Sequence, residues 1–437
     1  MKSIVGIIVL YLFTVCFMSV KGQTGSLSLA DCIDLALKRN PRLQQSELNL
    51  SKNEITLKQA KNNRLPSLNA ELGHGYNEGR SVNPTTNQFV EQNYFSGNQS
   101  LNLNVPIFNG FQVLHTVRMR ANAKEAGKLE FDHAINELKL DVLEAYVQVL
   151  TAKDILAQTE GQMKVTVENV NRTAVLHREG AVNPGDYHDL QGQLRADQNA
   201  LQESKRLLSI NRLRLASLLN TSVDSISDLE PLGLSVEARV RSVEDLYTSA
   251  LRTLPQYKAF DWRIKEAEGG IKVERSAYFP SLTFSGGLWS RFSSLNESNY
   301  WEQMNNYLSK GFSLGLSVPI FNKFRVRNQV KLAQLSLQEA ILNKEIAKNA
   351  LREETAKTVF NLETLQVNVV NLREQEKSYA ESFRIAQVHF DAGNSNSVVF
   401  LTAKNKMDNT KMQLLIKQYE MILQKYINDY YAGTINL

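Results

Sequence analysis

Val105-Pro106-Ile107-Phe108-Asn109-Gly110-Phe111 returns 213 residues later as Val318-Pro319-Ile320-Phe321-Asn322-Lys323-Phe324, and this recurrence decides how the rest of the chain is read. Outward from it, other landmarks keep nearly the same spacing. Pro66-Ser67-Leu68 and Pro280-Ser281-Leu282 lie 214 apart, as do Pro41 and Pro255, while Gly180 and Gly393 lie 213 apart. An offset held this closely means duplication. Solenoid units repeat every ~20–50 residues, so a period this long means two large copies rather than a stack of small ones. The copies are placed at 23–220 and 243–437, joined by a linker at 221–242 that carries Pro231 and Gly233.

Between the Pro-Ser-Leu entry and the Val-Pro-Ile-Phe motif each copy alternates apolar and polar residues. Leu68, Ala70 and Leu72 alternate with Ser67, Asn69 and Glu71, and Leu101, Leu103 and Val105 with Ser100, Asn102 and Asn104. In the second copy Leu282 and Phe284, then Phe312, Leu314, Leu316 and Val318, do the same. Period two with one apolar face predicts strands, at about 66–78, 96–106, 280–292 and 309–319. Aromatics such as Tyr76, Tyr94, Phe95, Phe108, Phe111, Trp289, Phe292, Phe312 and Phe321 gather near their ends, and long polar loops, about Gly79 to Phe95 and Ser290 to Lys310, join them. That is the pattern of a membrane barrel. Four strands cannot close one, because about eight is the smallest number seen and an open edge in lipid leaves backbone groups unpaired. The barrel is therefore shared, and three chains would supply twelve strands.

Beyond each motif runs a long helical pattern. Neither Gly nor Pro interrupts Arg325 to Ala392, and only Gly127 and Gly161 fall between Gln112 and Glu179. At 1.5 Å per residue each helix is roughly 100 Å long. Val359, Leu362, Leu365, Val369 and Leu372 step by three or four, the spacing of a coiled-coil seam. The chain reverses near Gly180 and Gly393, giving helical hairpins at about 112–219 and 325–431. Each copy opens with a further helical pattern, Leu29 to Asn63 or Val243 to Ala277, stopped by a proline.

Lys2 followed by an apolar run from Ile4 to Val20 reads as a secretory signal over 1–22, shorter than a membrane span. Of the two cysteines, Cys16 falls in that signal and Cys32 remains, so the mature chain has no internal disulfide. Removing Lys2 and Lys21 takes the net charge from +5 to +3, too little to indicate nucleic acid. No phosphate loop, metalloprotease or nucleophile-elbow motif is present, so neither an enzyme nor a cofactor is expected.

A shared β-barrel carrying helical rods resembles the TolC-like outer-membrane efflux proteins, over essentially the whole mature chain. The duplicated Val-Pro-Ile-Phe-Asn, the Pro-Ser-Leu strand entries and the glycine-marked reversals carry the resemblance. It implies an α+β membrane channel, a homotrimer whose twelve-stranded barrel sits in outer-membrane lipid and continues into a periplasmic α-helical barrel. It implies an exit duct of a tripartite efflux or type I secretion system, with a periplasmic adaptor and a proton-driven or ATP-driven inner-membrane pump docking at the helical end. The alternative, a periplasmic coiled-coil scaffold or adaptor, leaves the four strands without a purpose.

In such ducts the periplasmic tips close the channel and meet the adaptor. Here they carry Gly180, Asn183, Asp186 and Asp189 on one hairpin and Phe390, Gly393, Asn394, Ser395, Asn396, Val399 and Thr402 on the other. The resemblance makes Asp186 part of the inter-helix closing bonds. Phe390 stands where the family has its tyrosine partner, Ser395 where it has an arginine, and Val399 and Thr402 where TolC itself has lumen-facing aspartates. Packing and neutral hydrogen bonds, rather than ion pairs, are then expected to hold the tip. The simpler reading is that Asp186 caps its own returning helix. His177, His188 and His389 lack a ligand spacing, and no metal is expected.

Overall fold

The structure is a computed structural model and describes residues 26–83, 86–226, 228–233 and 240–435. The signal expected at 1–22 lies outside these residues, as do 227 and 234–239 of the expected linker.

The first half contains α1 (Leu29–Arg39), α2 (Pro41–Asn62), β1 (Ser67–Asn77), β2 (Arg80–Val82), β3 (Phe89–Glu91), β4 (Tyr94–Asn109), α3 (Gln112–Arg178) and α4 (Pro184–Leu219). The second contains α5 (Val243–Thr253), α6 (Pro255–Ser276), β5 (Ser281–Ser293), α7 (Tyr300–Asn306), β6 (Ser309–Ser317), α8 (Arg325–Asp391) and α9 (Ser397–Ala432). Helices of 11, 22, 67 and 36 residues appear in that order in each half.

The opening pattern of each half, read from the sequence as one helix, is two. Pro41 and Pro255 are the first residues of α2 and α6, where a missing N–H costs nothing. The residue before each is pushed into the extended region, Asn40 to ψ 121° and Leu254 to ψ 130°, which ends the preceding helix. Asn40 turns this break into a cap, its side-chain oxygen accepting from the Arg42 and Leu43 amides. A capping box of Ser28 and Asp31 starts α1, and Ser242 caps α5.

The sheet is antiparallel in the order β1-β4-β5-β6. Its register puts Leu68, Leu103, Gly286 and Phe312 in one cross-strand row, and Val105, Phe284 and Leu314 in another on the same face. Rows such as Ser67, Asn104, Ser285 and Ser313 fill the opposite face. The apolar face is open: Leu72 is 77% and Phe312 85% exposed. The outer strands β1 and β6 each pair on one side.

The two Val-Pro-Ile-Phe segments end differently. In β4 pairing with β5 continues to Asn109 through a bulge at Pro106 to Phe108, a place where a residue without an N–H is tolerated. The edge strand β6 stops at Ser317, short of the expected 319. At both junctions two successive left-handed residues swing the chain from strand to helix, Gly110-Phe111 (φ 63° and 66°) and Lys323-Phe324 (φ 53° and 59°). Gly110 has a second constraint, since a Cβ there would meet the Ser276 carbonyl oxygen at 2.3 Å. Phe108 stands edge-on to Phe111 at 5.1 Å, and Phe321 edge-on to Phe324 at 5.6 Å. The polar loops also carry structure: β2 and β3 form a small hairpin, and α7 is pinned by the buried Gln303, which accepts from the Ser293 amide.

The main core lies halfway down α3, where Val142, Leu143 and Tyr146 meet Cys32 and Ala36 of α1, Leu215 and Leu219 of α4, and Tyr419 and Ile422 of α9. Buried Tyr146 directs its hydroxyl at the Leu27 and Glu230 carbonyls, at 3.0 and 2.7 Å. It thereby holds together the segment ahead of α1 and the connection between halves, which also form a parallel bridge at Leu27 and Leu229. No helix among the described residues is long and apolar enough to cross a membrane.

Candidate functional site at the helical tips

Both long helices end alike. Gly180 (φ 68°) and Gly393 (φ 73°) take the left-handed conformation, which costs glycine nothing. The Ala181 amide then donates to the Leu176 carbonyl at 2.8 Å and the Asn394 amide to the His389 carbonyl at 2.9 Å, the six-to-one bond of a Schellman ending. The returning helices carry caps of their own. Asn183 accepts from the Gly185 amide at 2.9 Å, and Asn396 from the Val399 amide at 3.1 Å.

Asp186 is therefore not the cap of its own helix, as the simpler reading had it, because Asn183 holds that place. Its Oδ1 accepts the amide of Ser397, the first residue of α9, at 2.7 Å. One turn along α4, Asp189 Oδ2 accepts the Ser397 hydroxyl at 2.8 Å. Two carboxylates of one hairpin thus grip the N-terminus of the other, where the helix dipole favours negative charge. Ser397 is only 1% exposed, so water does not replace these bonds.

Packing completes the contact. Phe390 stacks on Phe400 at 4.8 Å, and both join Val170 and Leu190 in a small core that draws on α3, α4, α8 and α9. Phe390 is turned into this core and is buried there. At the turns an ion pair crosses between hairpins, against the expectation of neutral contacts alone: Arg172 meets Asp391 at 2.5 Å and covers the Phe390 ring at 5.7 Å. Both side chains remain about two-fifths exposed to solvent, so the pair contributes at most about 1 kcal/mol.

Of the residues expected at the tip, Asp186 and Asp189 meet on Ser397, Asn396 caps the same helix start, Phe390 packs on Phe400, and Gly180, Gly393 and Asn183 shape the turns. Asn394, Val399 and Thr402 are exposed, and Ser395 is half-buried. His177 stacks on Tyr187 at 5.0 Å, with His188 at 6.3 Å from His177. Among the described residues no three His, Cys, Asp or Glu side chains gather as a metal site.

Sequence reasoning missed Ser397 as the residue gripped, and missed a buried charge cluster at Lys404, Asp408 and Asp197. A signal was available: Ser397, Phe400, Lys404 and Asp408 share the three-to-four spacing of one helix stripe, so a cation and an anion fall on its buried side.

The profile of the family described as outer membrane efflux protein matches residues 32–221 and 246–424. The outer membrane protein TolC of Salmonella enteritidis is 22% identical over 91% of this chain and 80% of its own. The toxin and drug export protein A of Aggregatibacter actinomycetemcomitans is 22% identical over 74% of this chain and 69% of its own. The solved CmeC outer membrane channel of Campylobacter jejuni superposes with a TM-score of 0.77 at 17% identity, covering 93% of this chain and 86% of that one.

Proposed function

Because the chain belongs to the outer membrane efflux protein family, we propose that it is the outer-membrane exit duct of a tripartite export system, built as a homotrimer. The single observation that carries the assembly is the sheet: four strands with an exposed apolar face and two outer strands each paired on one side. In lipid such edges leave backbone groups unpaired, and joining β6 of one chain to β1 of the next removes them. Three chains of four strands give a closed barrel of twelve, within the range of membrane barrels. The matched helix lengths of the two halves support descent from one duplicated unit, with copies at 23–220 and 243–437.

The helical end then lies about 100 Å from the sheet, long enough to cross the periplasm toward an adaptor and a proton-driven or ATP-driven pump. In this reading Asp186 and Asp189 supply the closing bonds of the tip through Ser397. Val399 and Thr402 lie on its open surface, and the exposed turns at Gly180 and Asn394 offer the adaptor its contact.

Purified full-length protein in planar bilayers tests this. A detergent-resistant trimer is expected, nearly silent as wild type and conducting when Asp186 and Asp189 are both alanine. Recovery as a soluble periplasmic monomer, or a trimer silent in both forms, would overturn the duct.

A further inference from the structure

The tip is not the only place where the hairpins are tied. Seven residues beyond Ser397, about 10 Å along α9, Lys404 is buried to 2% exposure. Its ammonium lies 2.7 Å from Asp408 on its own helix and 3.6 Å from Asp197 on α4 of the other hairpin. The first hairpin organises Asp197 for this contact. Thr166 of α3 donates its hydroxyl to Asp197 Oδ2 at 2.5 Å, and Gln193 of α4 donates to Oδ1 at 2.7 Å. Gln158 of α3 reaches the Asp408 carbonyl at 3.4 Å.

We propose that Lys404, held between Asp197 and Asp408, is a second latch that positions the two hairpins and keeps the tip shut, so that breaking it opens the duct. This rests on reading the tips as the closed end of a channel. Its physical basis is the imbalance of the cluster, one buried cation against two carboxylates. Lys404 keeps Asp408 as a partner four residues along its own helix however the hairpins move, whereas Asp197 is a partner only while they are joined. The second contact is thus the part that depends on closure, and removing the cation leaves two carboxylates facing one another out of water.

The same arrangement gives the latch a pH dependence. Burial holds the Asp408 carboxyl above the ordinary range; Lys404 opposes this, Asp197 adds to it and Lys411 reduces it slightly. The elements packed around it add Thr166 and Gln158 from α3 and Gln193 from α4, all neutral. On α8, beside Tyr379 and Lys406, Lys377 pairs with Glu374 and Arg384 with Glu381 in solvent. Parting the hairpins removes Asp197 and readmits water, which lowers the affinity of Asp408 for its proton. Protons therefore favour the joined state. This proton-linked contribution is fully present below the ordinary carboxylate value of about 4 and is lost as pH rises through the raised value of Asp408.

The test is the open fraction of full-length protein in planar bilayers across mildly acidic to alkaline pH. Lys404→Met shifts the equilibrium toward opening at neutral pH by on the order of a hundredfold for each chain, the scale of breaking a buried pair, while Lys404→Arg stays near wild type. Asp408→Asn stays closed and loses the pH response, and since it keeps the side chain's shape it carries the test if Lys404→Met does not assemble. A Lys404→Met channel as silent as wild type, or a pH response unchanged in Asp408→Asn, overturns the latch. If the Asp186 and Asp189 double variant conducts in that case, the duct reading stands without it; silence of every variant removes both.

Discussion

Replacing Asp186 by alanine deletes the acceptor of the Ser397 amide, a 2.7 Å bond to a charged group at the start of α9. Ser397 is buried, so its N–H loses this partner without gaining water. A hydrogen bond to a charged group contributes about 1.5–3 kcal/mol. Taking about 2 kcal/mol, the closed state of each chain loses roughly thirtyfold in its equilibrium. In a trimer whose tips open together three such losses add, to about 6 kcal/mol, because the sites are distinct and independent contributions sum. Asp186→Asn keeps an acceptor but not the charge, and since charge-assisted bonds are about twice as strong as neutral ones, it loses about half as much. The assay is single-channel recording of both variants beside wild type, with the heat stability of the proposed trimer as a control for folding. The expected order of open fraction is alanine above asparagine above wild type, at similar heat stability. Equal open fractions in all three would refute the view that this carboxylate holds the tip. So would a loss of heat stability without conductance, which would make Asp186 a folding residue instead.

Four other outcomes follow from local geometry. Lys323 occupies a left-handed conformation that costs a non-glycine residue about 1–2 kcal/mol, so Lys323→Gly should raise the thermal unfolding midpoint. Gly110→Ala at the matching position should lower it, because the added Cβ meets the Ser276 carbonyl. Tyr146→Phe takes the hydroxyl donor from the Glu230 carbonyl, at a cost of about 1–3 kcal/mol, while the Leu27 carbonyl keeps the Glu230 amide at 3.0 Å; limited proteolysis should then cut first near Leu27 or Glu230. Burial pushes the Cys32 thiol up to about 12, so a maleimide at pH 8 should label it only after denaturation, and labelling of the folded protein would show that the core around α1 opens.

How much of this was legible beforehand depended on whether a signal was local. Pro66 and Pro280 stop helices, Gly180 and Gly393 reverse them, and alternation marks strands, and each of these effects acts within a few residues of its cause. Pro41 and Pro255 were visible as landmarks yet read through as helix interior, because the apolar spacing continues across them and only the extended Asn40 and Leu254 reveal the break. Where a strand stops depends on its neighbour: the same Val-Pro-Ile-Phe sequence remains a strand beside β5 and is released at the edge after β6. The site divides in the same way. Asp186 could be singled out by position, but its partner lies 211 residues away and no local pattern names it. Lys404 escaped notice because a lysine in a lysine-rich helix reads as solvated, and only its place on the stripe of Phe400 argues otherwise.

The apolar waist around Tyr146 has a mechanical consequence. From there α3 runs 32 residues to its end at Arg178, a lever arm of about 48 Å at 1.5 Å per residue. A rotation of about 5° at that fulcrum sweeps the far end of such an arm through roughly 4 Å. Bonds of 2.7 and 2.8 Å do not survive such a sweep, whereas side chains at the fulcrum move by less than the slack of ordinary packing. A partner need only lean on the free end, trading a small force over a long arm for a torque at the waist, and the sheet above need not deform at all.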